Sequence, residues 1–165
     1  MAGIFLDSMP LDGRTGHETG RLLLARMYRE YVGEPLPPIG VTPQGKPYFL
    51  QSPWHFSISH TKFHAFCALS MVPVGLDAEE LSRKIRPELA TRVLSPGELT
   101  QYNAAPDPRI AFLTFWVLKE AAGKLSGKGL NGWPNHTDFR LDDPRIQYRD
   151  GCILAIVTKE SCHVV

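Results

Sequence analysis

From Asp107 to Ser126 the chain carries so little polar surface that it is predicted to be a largely buried helix, which the remaining residues have to enclose. Ile110, Phe112, Phe115, Leu118 and Leu125 join Leu113 and Val117 to spread apolar side chains nearly all the way round. Asp107 suits the cap, Pro108 the first helical position, and the glycines after Ser126 the end. Leu113, Val117, Glu120 and Lys124 share one face at spacings of three and four, with Trp116 at its border. A carboxylate on such a helix needs a partner, because an unpaired buried charge is very costly. A surface Glu120–Lys124 pair, worth about 0.3–0.5 kcal/mol, is the plainer account. It convinces less on a helix with so few polar groups.

The other elements follow from shorter patterns. Gly3 to Leu6 reads as a strand, broken at Asp12-Gly13-Arg14. Leu22, Leu23, Met27 and Tyr31 recur at helical spacing between His17 and Val32, and Gly33 ends that helix. Pro35-Leu36-Pro37-Pro38 excludes helix, and Gln44-Gly45-Lys46-Pro47 makes a turn before Tyr48 and Phe49. Strands are predicted at His55 to Ser59, Ala65 to Ser70 and Val72 to Asp77. Short helices are predicted at Pro87 to Val93 and Pro96 to Tyr102. Phe139 to Leu141, Ile146 to Tyr148 and Cys152 to Val157 close the chain as strands, with a hairpin turn at Arg149-Asp150-Gly151. Helix then strands, twice over, predicts an α+β fold of two similar halves, residues 1–72 and 73–165. Each half would set helices on a small antiparallel sheet.

With 165 residues, 43% of them hydrophobic, the chain suits one compact domain with a real core. Its net charge of +1 lacks the basic excess of a nucleic-acid binder. No apolar run is long enough to span a bilayer, and no charged leader precedes an apolar stretch. Cys67, Cys152 and Cys162 are odd in number and show no CxxC spacing, which fits a reducing cytoplasm.

Two acidic clusters carry the chemistry. In Gly75-Leu76-Asp77-Ala78-Glu79 the carboxylates are two apart, so on a strand they share a face. A solvated strand end is the commoner meaning of a lone DxE. With Glu120, however, Asp77 and Glu79 would offer three oxygen ligands to a hard divalent cation. Mg²⁺ keeps some waters and is usually completed by substrate phosphates, so phosphate chemistry follows from the ligand type. Lys46 after a turn glycine, His60 at a strand end and Lys124 one turn past Glu120 would supply positive groups. Singly, each has an ordinary structural explanation.

The order of these motifs is more specific, and here the chain resembles the 4′-phosphopantetheinyl transferases, particularly the pseudo-dimeric, surfactin-synthetase-activating kind. Gly45-Lys46-Pro47-Tyr48 is similar to that family's GKP turn, and Phe56-Ser57-Ile58-Ser59-His60-Thr61 to its FxxSH(S/T) segment. Val74-Gly75-Leu76-Asp77-Ala78-Glu79 is similar to (V/I)G(V/I)DxE. Phe112, then Trp116 to Lys124 and on to Gly127-Lys128-Gly129-Leu130, resembles the signature FxxxWxxKEAxxKxxGxGL. The resemblance implies that Asp77, Glu79 and Glu120 hold Mg²⁺. It also implies that Lys46, His60 and Lys124 contact the phosphates of coenzyme A, with Ser59 and the Pro47-Tyr48 turn nearby. A carrier-protein serine would attack the phosphorus bearing the pantetheine arm, and 3′,5′-ADP would leave. Glu120, directly or through a metal-bound water, would accept the serine proton, and Lys124 would neutralise or protonate the departing phosphate.

The chain is shorter than that kind usually is, chiefly at its N-terminus. Only Arg14, Arg21 and Arg26 are there to grip the 3′-phosphate end. Two other functions use similar residues. One is a Mg²⁺-dependent phosphohydrolase or nuclease; the other is a non-catalytic domain that binds carrier proteins. The near-neutral charge counts against a nuclease, and no ligand or signature lysine is missing, as a degenerate binder would predict. The partners expected are coenzyme A and an acyl or peptidyl carrier protein, with Arg83, Lys84 and Arg86 as a candidate docking patch. A monomer is expected, because a chain with both halves needs no second copy.

Overall fold

The computed structural model describes residues 3–129 and 138–159 and the backbone of 163–164. Leu130, the last residue of the signature, and Cys162 lie outside the described residues. Along the chain come β1 (Gly3–Pro10), α1 (Gly16–Val32), β2 (Ile39–Val41), β3 (Pro47–Phe49), β4 (His55–His60), β5 (His64–Ser70) and β6 (Val74–Glu80). There follow α2 (Pro87–Val93), α3 (Pro96–Ala104), α4 (Pro108–Ser126), β7 (Ile146–Arg149), β8 (Cys152–Thr158) and β9 (His163–Val164).

The strands form a four-stranded sheet in the order β4-β5-β1-β9, a three-stranded sheet in the order β6-β8-β7, and the β2–β3 hairpin. The α+β expectation holds, with one exception to the antiparallel pattern: β9 pairs with β1 in parallel. Alternation along the strands sets the layers. On β5, Ala65, Cys67 and Leu69 pack with Leu23, Leu24, Met27 and Tyr28 of α1. The opposite face, Phe66 and Ala68, packs with Ile4 and Leu6 against Val74, Leu76, Ala78, Leu154 and Ile156 of the second sheet. That sheet's far face, Ile153, Ala155 and Val157, meets Phe112, Leu113, Phe115, Val117 and Leu118 of α4. The order of layers is therefore helix, sheet, sheet, helix. On its other side α4 is covered by Ala90, Leu94, Leu99 and Tyr102 from α2, α3 and the link between them, which encloses its apolar circumference.

The helix ends are specified locally. Thr15 and Glu18 form a capping box on α1, and Gly33 closes it at φ 80. Asp107 accepts the amides of Arg109 and Ile110 at the start of α4, and Gly127 ends it at φ 75. The strand expected at Phe139 to Leu141 does not form. Instead, the Phe139 amide donates to Glu98 Oε2 at 3.0 Å, and the Leu141 amide donates to Gln101 Oε1 at 3.1 Å. Side chains of α3 thus satisfy backbone groups that a sheet would have paired.

One close approach positions the site. A Cβ on Gly75 would lie 2.0 Å from the carbonyl oxygen of Ala121 and 2.8 Å from the amide nitrogen of Leu125. Only glycine lets β6 lie this near α4, because the obstructing atoms are backbone and cannot rotate away.

Candidate active site

The site grows from the seam where the edge strands β4 and β6 meet. Ser57 Oγ accepts the Leu76 amide at 2.9 Å, and Ser59 Oγ accepts the Ala78 amide at 3.1 Å. Two hydroxyls thereby do the work of a ladder between sheets that share no backbone pairing there. Ser59 Oγ also donates to Asp77 Oδ1 at 3.1 Å, which fixes the carboxylate on the α4 side of β6.

Strand period two places Asp77 and Glu79 together on that side, beside Gly75. Opposite them run Trp116, Glu120 and Lys124, four residues apart along α4. Leu113 and Val117, grouped with them by spacing, turn fully into the core. Lys124 Nζ donates to Asp77 Oδ1 at 3.0 Å and to the Ile58 carbonyl at 3.3 Å. The simple Glu120–Lys124 surface pair is therefore replaced by a bond between helix and strand. At the other end, Trp116 Nε1 donates to Glu79 Oε1 at 2.9 Å, and the same oxygen is paired with the Arg83 guanidinium. Glu120 stands half-buried between these two attachments.

All three carboxyls are held above the ordinary carboxylate range. Burial is the leading cause for Asp77, and its bonds to Lys124 and Ser59 pull the other way. Burial and then the charge of Asp77 raise Glu79, against the opposing pull of Arg83. Burial, Asp77 and Glu79 raise Glu120, against Lys124 and Arg83. Three desolvated carboxyls that repel one another form an arrangement that extra positive charge would relieve. Asp77 Oδ2 is buried and has no hydrogen-bond partner among the described residues. An orphaned carboxylate oxygen, on an acid whose charge acts on two others, fits a cation ligand. Among the described residues, however, no three His, Cys, Asp or Glu side chains are gathered as a ready metal cage. Lys124 and Arg83 engage two of the three acids.

Beyond Lys124 lies a cleft of about 280 Å³ lined by Lys46, Pro47, Phe56, Ile58, Gly123 and Lys124, among others. Lys46 is brought there by the β2–β3 hairpin, whose turn needs Gly45 at φ 90. Its Nζ donates to the Leu125 carbonyl at 2.8 Å. Burial, and then the charge of Lys159, hold the Lys46 ammonium below its ordinary range. An adjoining pocket of about 80 Å³ shares Lys46 and Pro47 and adds Tyr48 and His55. The structure thus brings Lys46, Pro47 and Lys124 to one cleft, with Tyr48 next door. Ser59 lies behind Asp77. The His60 ring packs on Gly16, where an added Cβ would come within 2.2 Å of it. Arg83, Lys84 and Arg86 line a separate groove with Ile85, Leu89 and Arg92.

Three partners escaped the sequence reading. Arg83 is four residues from Glu79, but pairing at that spacing is informative on a helix and not past a strand end. The Trp116 indole was visible only as an aromatic border. Lys119, within the signature, is 1% exposed and ion-paired at 2.7 Å with the fully buried Glu98. The spacing Ser95-x-x-Glu98 marks a capping box, which forms, but nothing in it announces the lysine.

Among the described residues no helix is long and apolar enough to cross a membrane. Residues 73–158 match the 4′-phosphopantetheinyl transferase superfamily. The chain is 38% identical over 110 residues to a 4′-phosphopantetheinyl transferase of Bacillus subtilis, covering 63% of this chain and 47% of that protein. Over 117 residues it is 32% identical to the 4′-phosphopantetheinyl transferase psf-1 of Bacillus pumilus, covering 68% of this chain and 50% of that one. The gsp transferase of Aneurinibacillus migulanus is 35% identical over 88 residues, 52% of this chain and 36% of its own length. The chain spans about half the length of the first two relatives, and less of the third.

Proposed function

Because the chain belongs to the 4′-phosphopantetheinyl transferase superfamily, we propose that it moves the 4′-phosphopantetheine arm of coenzyme A onto a carrier-protein serine. The observation that carries this reading is the seam itself: an orphaned Asp77 oxygen beside Glu79, Glu120 and Lys124, next to a cleft floored by Lys46. Asp77, Glu79 and Glu120 are the residues that would hold Mg²⁺. Bound there, the ion would neutralise phosphate oxygens and stabilise charge developing on the pyrophosphate.

The remaining steps use the chain's own groups. Lys46 spends one of its three N–H donors on Leu125 and Lys124 spends two on Asp77 and Ile58, so both ammonium groups keep a donor for phosphate. His60 and the Pro47-Tyr48 turn would hold the rest of the nucleotide, and Ser59 acts by fixing Asp77. Glu120, directly or through a water, is the group that would take the serine proton as the serine oxygen attacks. The bond from phosphorus to the bridging pyrophosphate oxygen breaks, and Lys124 neutralises the 3′,5′-ADP that leaves. Such a site works mainly by positioning and by charge stabilisation. We read the chain as two pseudo-repeated halves, near 1–72 and 73–165, acting as a cytoplasmic monomer.

The test is mass spectrometry of apo carrier proteins incubated with the chain, coenzyme A and Mg²⁺. One phosphopantetheine arm gained by the carrier, and lost with EDTA or in Glu120→Gln, is the expected result. Hydrolysis of coenzyme A without any carrier would favour the phosphohydrolase instead.

Metal binding has its own signature in stability. A carboxyl raised on folding keeps its proton in the native chain after the unfolded chain has released it. Stability is therefore lost as pH rises from the ordinary carboxylate range through the raised value. The unfolding temperature of the metal-free chain should fall across that window. Mg²⁺ should restore it at neutral pH and do nothing below the window. A neutral-pH unfolding temperature indifferent to Mg²⁺ would remove the ion from the mechanism.

A further inference from the structure

Glu79 already has a cation. Its Oε1 is shared between the Trp116 indole N–H, 2.9 Å away, and the Arg83 guanidinium, which also lies 5.2 Å from the centre of the Trp116 ring. Arg83 is tied to the end of β6 by its own backbone, whose amide donates to the Glu80 carbonyl at 3.0 Å. It is the tethered mirror of Lys124, which engages Asp77 at the other end of the acidic row. Glu120 lies between the two and is influenced by both.

We propose that Arg83 is a built-in competitor for the divalent cation: its guanidinium, held on Glu79 Oε1, opposes an ion that draws on the same carboxylate. The proposal rests on Asp77, Glu79 and Glu120 being the metal ligands.

The physical basis is direct. The guanidinium places a positive charge beside the carboxylate that a doubly charged ion would use, and it already holds one of that carboxylate's two oxygens. Its side chain is 34% exposed, so it can leave towards solvent without opening the core. Arg83 also lines the groove shared with Lys84, Arg86 and Arg92, and release would return its charge to that basic surface.

Trp116 provides a readout independent of activity, because its N–H partner and the cation over its ring both change when Glu79 is taken. Mg²⁺ is titrated into the metal-free chain and indole emission followed, with Trp116→Phe identifying the signal and calorimetry giving affinity. Arg83→Gln should bind Mg²⁺ about tenfold more tightly, the order expected when one partly exposed like charge is removed. Arg83→Lys, which keeps the charge, should stay near the wild type. Weaker binding by Arg83→Gln would overturn the proposal, because Arg83 would then organise Glu79 for the ion rather than oppose it. Unchanged affinity would overturn it as well. If neither the wild type nor Asp77→Asn binds Mg²⁺ by calorimetry, it is the metal reading that fails, and the proposal falls with it.

Discussion

Lys119→Ala should destabilise the chain by about 3–5 kcal/mol, enough to unfold many domains of this size. Lys119 and Glu98 are 1% and 0% exposed and stand 2.7 Å apart, so neither can draw on water if its partner goes. Glu98 is also the hub of a local network. It accepts the Ser95 amide on Oε1 and the Phe139 amide on Oε2, joining the start of α3 to the chain that leads into β7. Without the lysine, this carboxylate would remain in the core with amides alone to oppose its charge. Chemical denaturation measures the loss directly. The double variant Lys119→Met with Glu98→Gln should recover only part of it, because the buried charge is gone from both sides but the new side-chain NH2 can no longer accept from Ser95 or Phe139. If Lys119→Ala unfolds at the wild-type denaturant midpoint, the pair is not formed in solution.

Asp77→Asn should do the opposite: keep the fold and remove the activity. The amide has nearly the same shape and can still accept from Ser59, whose own acceptance of the Ala78 amide holds β4 to β6 regardless. Burial already disfavours the charged form of Asp77, so neutralising it removes a cost from the native state. Stability should therefore change by less than about 1 kcal/mol, the loss of the ionic part of the Lys124 bond being offset. Transfer of phosphopantetheine should fall by about 10²–10³-fold, the usual result of removing one group that stabilises transition-state charge. Single-turnover assays against thermal unfolding separate the two effects. Full activity in Asp77→Asn would overturn the assignment of this carboxylate.

The contrast between these two variants shows how the motif is divided. Lys119 and Lys124 are five residues apart in one segment of α4, yet the first is a strut under α3 and the second faces the cleft. Helical spacing sets the two on different faces but does not say what each face meets.

Local order was largely legible in the sequence, because it is set by neighbours along the chain. Gly33, Asp107, Pro108 and Gly127 end or begin their helices through backbone preferences that need no partner. The apolar circumference of α4 required enclosure, and alternation put Asp77 and Glu79 on one face. Contacts across the seam were settled only by tertiary structure, because they depend on how closely two elements pack. Gly75 admits α4 to backbone distance, which brings Lys124 to Asp77 and Trp116 to Glu79. Strand propensity puts Phe139 in a sheet, but its amide is bonded to Glu98 instead. The chain's own residues thus specified the helices, most of the strands and the facing acids. Which cation each acid holds was decided by packing, since charge acts through space and does not follow the sequence.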